Sequence, residues 1–216
     1  VAGSREVAVK IGARHRDARA CAILLKEITG LGLSAPPGLS GFAGARSRPS
    51  PVVRLFSMLV PKADVPLSLA IDGRTMALEV ETGTPFDKAS VARPAPPTCG
   101  EVDDLVVVPL IELAYARSGD KGDKANIGVL PRKPDYAPWI WAALTEEEVS
   151  HRFAHFLEGC VQRWYLPGTG AINFLLDDVL GGGGIASLRN DPQAKGYSQI
   201  LLQTPIPVPR ALVEET

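Results

Sequence analysis

The sequence predicts an α+β protein built as two small open α/β sandwiches. Short β-branched and apolar runs recur along the chain, bounded by Gly, Pro and Asp. Two amphipathic stretches each begin at a capping residue, Asp17 and Thr145. Between the two sets lies a Pro-rich span, 82–104, with few large apolar residues, which reads as a linker. The expected division is therefore 1–81, the linker 82–104, a second unit at 105–209 and a tail at 210–216.

In chain order, 6–13 (EVAVKIGA) alternates Val7, Val9 and Ile11 with polar or small residues and predicts a half-buried strand. Asp17 then offers its carboxylate to the free amides of a helix over 20–31, apolar on one face and stopped by Gly30 and Gly32. The stretch 34–51, rich in Gly, Pro, Ser and Arg, predicts a long solvated loop. Residues 52–60 (VVRLFSMLV) predict a strand. Asp72-Gly73 predicts a type I′ turn between 67–71 and 76–80.

In the second unit, 105–116 predicts one strand, 117–124 a polar loop and 125–130 another strand. Helices are expected at 139–144 and from Thr145 to near Gly159, with Thr145 and Glu148 as a capping box. Strands follow at 160–166 and 198–203, and 171–176 is an apolar run around Asn173. Pro205, Pro207 and Pro209 are expected to end the ordered chain.

The bulk numbers exclude several classes. In 216 residues the net charge is −1 and aromatics make up 6%, which argues against a nucleic-acid surface. No apolar run approaches the ~20 residues that span a bilayer, so no membrane partner is expected. Cys21, Cys99 and Cys160 are few and far apart, which fits a reducing, cytoplasmic setting better than a disulfide framework or a structural zinc. The chain opens on Val1, so it reads as a piece whose upstream part is missing.

The densest polar chemistry lies in 115–132, YARSGDKGDKANIGVLPR. Gly119 and Gly122 allow the positive φ at which successive amides converge on an anion. Arg117, Lys121 and Lys124 add positive charge, and Asp120 or Asp123 is the candidate catalytic acid/base. A charged hairpin loop without a ligand explains the same residues equally well. The second stretch is Gly181–Gly184, followed by Ser187, Arg189, Asp191 and Lys195 and preceded by Asn173. Four glycines cost folding entropy, so a steric reason is expected: close approach of a ligand, or free amides of a helix beginning near Ile185 offered to an anion, with a flexible loop as the plainer reading.

The two glycine-bearing bends are expected to fold face to face into one polar pocket. Its ligand-binding residues are Ser118, Gly119, Lys121, Gly122, Asn126, Asn173, Gly183, Gly184, Ser187, Arg189 and Lys195. No metal ligand set is assigned, and no motif identifies a cofactor. A divalent cation on Asp120, Asp123 and Asn126 is the lesser alternative. His151 and His155 stand four apart and read as a solvated helix face.

The run ARSGDKGDKANIG (116–128), the pair Asn173-Phe174 and the pattern GGGG…SLR.D…K from Gly181 to Lys195 occur in order. They resemble the C-terminal domain of the acyclic terpene utilisation protein AtuA family, over about 106–207. Residues 7–64 resemble the tail of the larger upstream domain of the same family. The resemblance implies a ferredoxin-like second domain. It also implies a bacterial, cytoplasmic enzyme or enzyme subunit in breakdown of acyclic terpenoids or branched acyl-CoA thioesters. The ligand implied is a small acidic molecule or an acyl-CoA, and the association state a homo-oligomer or a complex with a partner subunit. No reaction comes with the resemblance. The competing reading is a non-catalytic assembly domain whose Gly and Asp residues only shape loops.

Overall fold

The computed structural model describes residues 7–34, 37–39, 47–54, 56–79, 81 and 83–214. The chain divides into two compact units. One comprises Val1–Arg54 with Pro96–Thr216, the other Leu55–Ala95. The architecture is α+β, with small antiparallel sheets.

Helix α1, Ala18–Glu27, starts where the sequence places it, with the Asp17 carboxylate accepting from the Arg19 amide at 2.9 Å. The Arg19 guanidinium, and then that amide, hold the Asp17 carboxyl below its usual range. A short turn leads to α2, Leu31–Ser34. Residues 7–15 and the described part of 52–60 form no strand, against the periodicity. A strand needs a main-chain partner, and neither segment pairs with a described one; residues 7–15 reach 186–189 through side chains instead. Parts of the predicted 34–51 loop, 35–36 and 40–46, lie outside the described residues. None of the described residues from 7 to 104 is fully buried.

The smaller unit carries the hairpin β1 (Leu67–Ile71) and β2 (Arg74–Leu78). Asp72 and Gly73 have φ of 49° and 77°, the pair of positive values that a type I′ turn requires.

The larger unit resumes with β3, Leu105–Pro109, a single helical turn α3, Leu110–Leu113, and β4, Ala114–Lys121. The expected single strand over 105–116 is thus broken. The helical turn sets Leu110 and Leu113 on one side, three residues apart, and both are fully buried. Strand β5, Lys124–Pro131, returns along β4. Helices α4, Ala137–Ala143, and α5, Glu146–Arg152, follow. Thr145 caps α5 by accepting from the Glu148 amide at 3.1 Å, while the Glu148 carboxylate turns forward to Arg152. The helix stops at Arg152, so His155 is not on it. Its ring lies 3.7 Å from that of Phe156.

Strands β6, Val161–Leu166, and β7, Ala171–Leu176, complete a four-stranded antiparallel sheet in the order β4-β5-β7-β6. Residues 198–203 do not form the expected strand. Tyr197–Leu201 is helix α6, and the last strand is the proline-rich β8, Pro205–Pro209, paired with β3. Prolines two apart lose their amide donors on one edge only, so β8 can still pair on the other. Ile206 and Val208, between the prolines, are fully buried. The expected tail begins as a helix, α7, Arg210–Glu214.

The four-stranded sheet has two unlike faces. Ile127, Phe174, Leu176, Ile140, Phe153 and Leu201 belong to one apolar core, which joins the inner face to the helices. Each such side chain fully removed from water contributes about 1.5–3 kcal/mol. The opposite face carries Arg117 and Gly119 of β4, Asn126 and Gly128 of β5, Asn173 of β7 and Trp164 of β6. Strict alternation along the strands separates the two sets.

Candidate functional site

The site begins at the β4–β5 turn. The sequence predicts a polar loop over 117–124, but the strands run on to Lys121 and restart at Lys124. Only Gly122 and Asp123 remain as a two-residue turn, with Gly122 at φ 73°. Glycine at the first central position is the type II′ signature.

Asp123 joins this turn to the second glycine bend. Its Oδ1 accepts from the Gly182 amide at 2.9 Å and the Gly183 amide at 3.0 Å. Its carbonyl accepts from the Val179 amide at 3.0 Å. Gly181, Gly182 and Gly183 all have positive φ, of 68°, 106° and 88°. At Gly183 a Cβ would also stand 3.3 Å from the Gly122 carbonyl oxygen, so the two bends are in contact there. The convergent amides that glycine runs offer to anions are here occupied by an anion of the chain itself.

Beyond the bend, the Ser187 hydroxyl accepts from the Arg189 amide at 3.1 Å. The Arg189 guanidinium lies over the Phe156 ring and donates through one terminal nitrogen to the Phe156 carbonyl at 2.9 Å. Its Nε is buried with no hydrogen-bond partner. Two cations from the N-terminal stretch join it. Lys10 Nζ donates to the Arg189 carbonyl at 2.9 Å, and Arg14 donates to the Ala186 carbonyl. Arg14, Gly181, Leu188 and Arg189 line a groove of about 420 Å³. The sequence reading missed Lys10 and Arg14. The only available signal was a basic cluster after an apolar run, KIGARHR, which looks like any solvated segment.

The predicted residues fall into three groups. Gly122, Asp123, Gly183, Gly184, Ser187 and Arg189 come together around the bend. Asp120 points the same way: its Oδ2 lies 3.4 Å from where a Gly184 Cβ would be. Ser118 serves the fold. It is 5% exposed, donates to the Lys195 carbonyl at 3.2 Å and accepts from the Ser198 amide at 2.9 Å, tying β4 to the start of α6. Asp191 closes the same corner by accepting from the Lys195 and Gly196 amides. Burial pushes the neighbouring Tyr197 hydroxyl above its usual range, and that hydroxyl donates to the Val179 carbonyl.

The third group is on the outer face. Asn126 and Asn173 are hydrogen-bonded to each other there. Gly119 lies on the same face, with Lys195 Nζ 3.2 Å from its would-be Cβ, and Lys121 is exposed at the end of the strand. The single expected pocket is therefore two places on opposite faces of one sheet, because residues one apart on a strand point opposite ways. The same alternation takes Asn126 away from Asp120, so the three residues of the cation alternative do not form one ligand set.

Among the described residues no helix is long and apolar enough to cross a membrane. Residues 108–207 match the family model of the AtuA ferredoxin-like domain. Residues 2–71 match that of the acyclic terpene utilisation family protein AtuA. No curated protein and no solved structure matches the chain. Both parts of one family thus occur in this chain, along most of its length, and it belongs to the acyclic terpene utilisation AtuA family.

Proposed function

We propose that the chain belongs to an enzyme, or a subunit of one, in breakdown of acyclic terpenoids or related branched acids, and binds the anionic part of a carboxylate or acyl-CoA ligand at the glycine bend. One observation carries the reading. Arg14 and Arg189 flank a groove with Gly181 and Leu188, and neither guanidinium is in an ion pair among the described residues. A carboxylate or phosphate oxygen would complete both, and Leu188 offers an apolar wall for an acyl chain. Asp120 is the better acid/base candidate. Its carboxylate accepts no hydrogen bond from the described residues, whereas that of Asp123 is committed to two amides.

Titration calorimetry with isovaleryl-CoA tests this. Arg14→Ala and Arg189→Ala are each expected to weaken binding about tenfold or more, the scale of a lost charge-assisted hydrogen bond. Unchanged affinity in both variants would end the proposal.

The assembly reading is favoured by a different observation. The β1–β2 register sets Leu67, Leu69, Ile71, Met76 and Leu78 on one face of the hairpin, each 40–53% exposed. Such a face is commonly covered by a partner surface. Light scattering is expected to give at least a dimer mass, and a purely monomeric chain counts against assembly through this hairpin.

A further inference from the structure

The outer face of the four-stranded sheet holds two glycines that the backbone does not need. Gly119 and Gly128 sit in mid-strand, the β4–β5 register runs past both without a bulge, and neither has a positive φ. Packing does not demand them either. A Cβ at Gly128 would meet only the Arg117 carbonyl oxygen, at 4.0 Å, and one at Gly119 only the mobile tip of Lys195. Glycine weakens a strand, and where no bulge or bend explains it, close approach of a ligand or another backbone does.

The groups around the vacant floor define what could approach. One row across the sheet reads Arg117, Gly128, Asn173, Trp164. The Trp164 ring is half-buried and packs on no other ring or cation among the described residues. Asn126 donates to Asn173, which leaves the Asn126 oxygen as an acceptor and the Asn173 amide as a donor. Arg117, Lys121 and Lys195 make no ion pair among the described residues, and the outward strand positions hold no Asp or Glu. Like charge disfavours a second copy of this face as the occupant.

We propose that this face binds a nucleoside phosphate. The base stacks on Trp164 and extends over Gly128, the asparagine pair reads a base edge carrying a donor beside an acceptor, and Arg117 with Lys195 holds the phosphates. Three strand spacings separate Arg117 from Trp164, on the order of 14 Å. A nucleoside diphosphate and an arginine side chain together bridge that gap. The face is separate from the Arg14–Arg189 groove and does not depend on it.

ADP is the probe, by titration calorimetry on the intact chain. Binding in the micromolar to low millimolar range is expected, with adenosine and inorganic pyrophosphate each binding more weakly. The decisive variant is Gly128→Val. Valine suits a strand and its Cβ meets only the Arg117 carbonyl oxygen, at an ordinary 4.0 Å, so the melting temperature holds or rises while ADP affinity falls at least tenfold. Arg117→Ala lowers affinity about tenfold, and Arg189→Ala leaves it unchanged. No heat with millimolar ADP overturns the proposal, as does unchanged affinity in Gly128→Val. Much tighter binding of single-stranded oligo(A), with several nucleotides occupied per chain, would reassign the face to nucleic acid and also overturn it.

Discussion

Asp123→Ala is expected to lower the unfolding free energy by about 3 kcal/mol in urea denaturation, while Asp120→Ala changes it by less than about 0.5 kcal/mol. The two carboxylates are three residues apart in one motif, yet their situations differ. Asp123 satisfies the amides of Gly182 and Gly183, the second of them in a buried residue. Removing it strands two donors at three consecutive glycines of positive φ, and leaves the Gly183 carbonyl, which accepts from the Ala186 and Ser187 amides, as a remaining tie. Asp120 accepts no such bond. Asp123→Asn keeps an acceptor at the same place and is expected to recover most of the loss. Equal stability for the two alanine variants would show that the carboxylate does not hold the bend. The pair also separates scaffold from chemistry: Asp120→Ala is expected to keep the fold and isovaleryl-CoA binding while removing any proton-transfer activity.

Several features along the chain were legible in the sequence, and the reasons they were are local. Asp72-Gly73, the Asp17 cap and the Thr145 cap are set by neighbours within four residues, and each forms as expected. That the two glycine bends face each other was also legible, since four glycines in a row need a steric reason; that Asp123 itself fills the amides was not, because the sequence suggested an external anion there. Which face each residue takes was not. Reading 117–124 as a loop removed the period-two alternation that sends Asn126 and Asp120 to opposite sides. The error at the C-terminus has the same character. Prolines were read as terminators, although at alternate positions of an edge strand they remove donors from one side only. Ser118 looked like a ligand contact because a hydroxyl beside a glycine carries no mark of burial. Its two partners lie about eighty positions away.

Gly159→Ala is the other change with a large expected effect, about 3 kcal/mol of lost stability. Gly159 has no positive φ, so the cost comes from contact alone. A Cβ there would stand 2.7 Å from the Asp177 carbonyl oxygen, 2.8 Å from its carbon and 2.9 Å from the Asp177 Cβ. The neighbours cannot easily withdraw. The Glu158 amide donates to the Asp178 carbonyl at 3.1 Å, the Asp177 amide donates to the Cys160 carbonyl at 2.9 Å, and Lys124 holds the Asp177 carboxylate at 2.7 Å. Asp178 itself sits at φ 47°, a conformation that resists adjustment in a non-glycine residue. Movement of Asp177 and Asp178 would also pull Val179 from the Asp123 carbonyl, so the strain should reach the glycine bend as well. The control is Gly168→Ala in the β6–β7 turn, where a Cβ meets nothing within 4 Å and φ is not positive. That variant is expected to lie within about 0.5 kcal/mol of the parent, on the stabilising side if anywhere. If both alanines unfold at the same urea concentration, the close approach of Asp177 to Gly159 does not restrain this part of the fold.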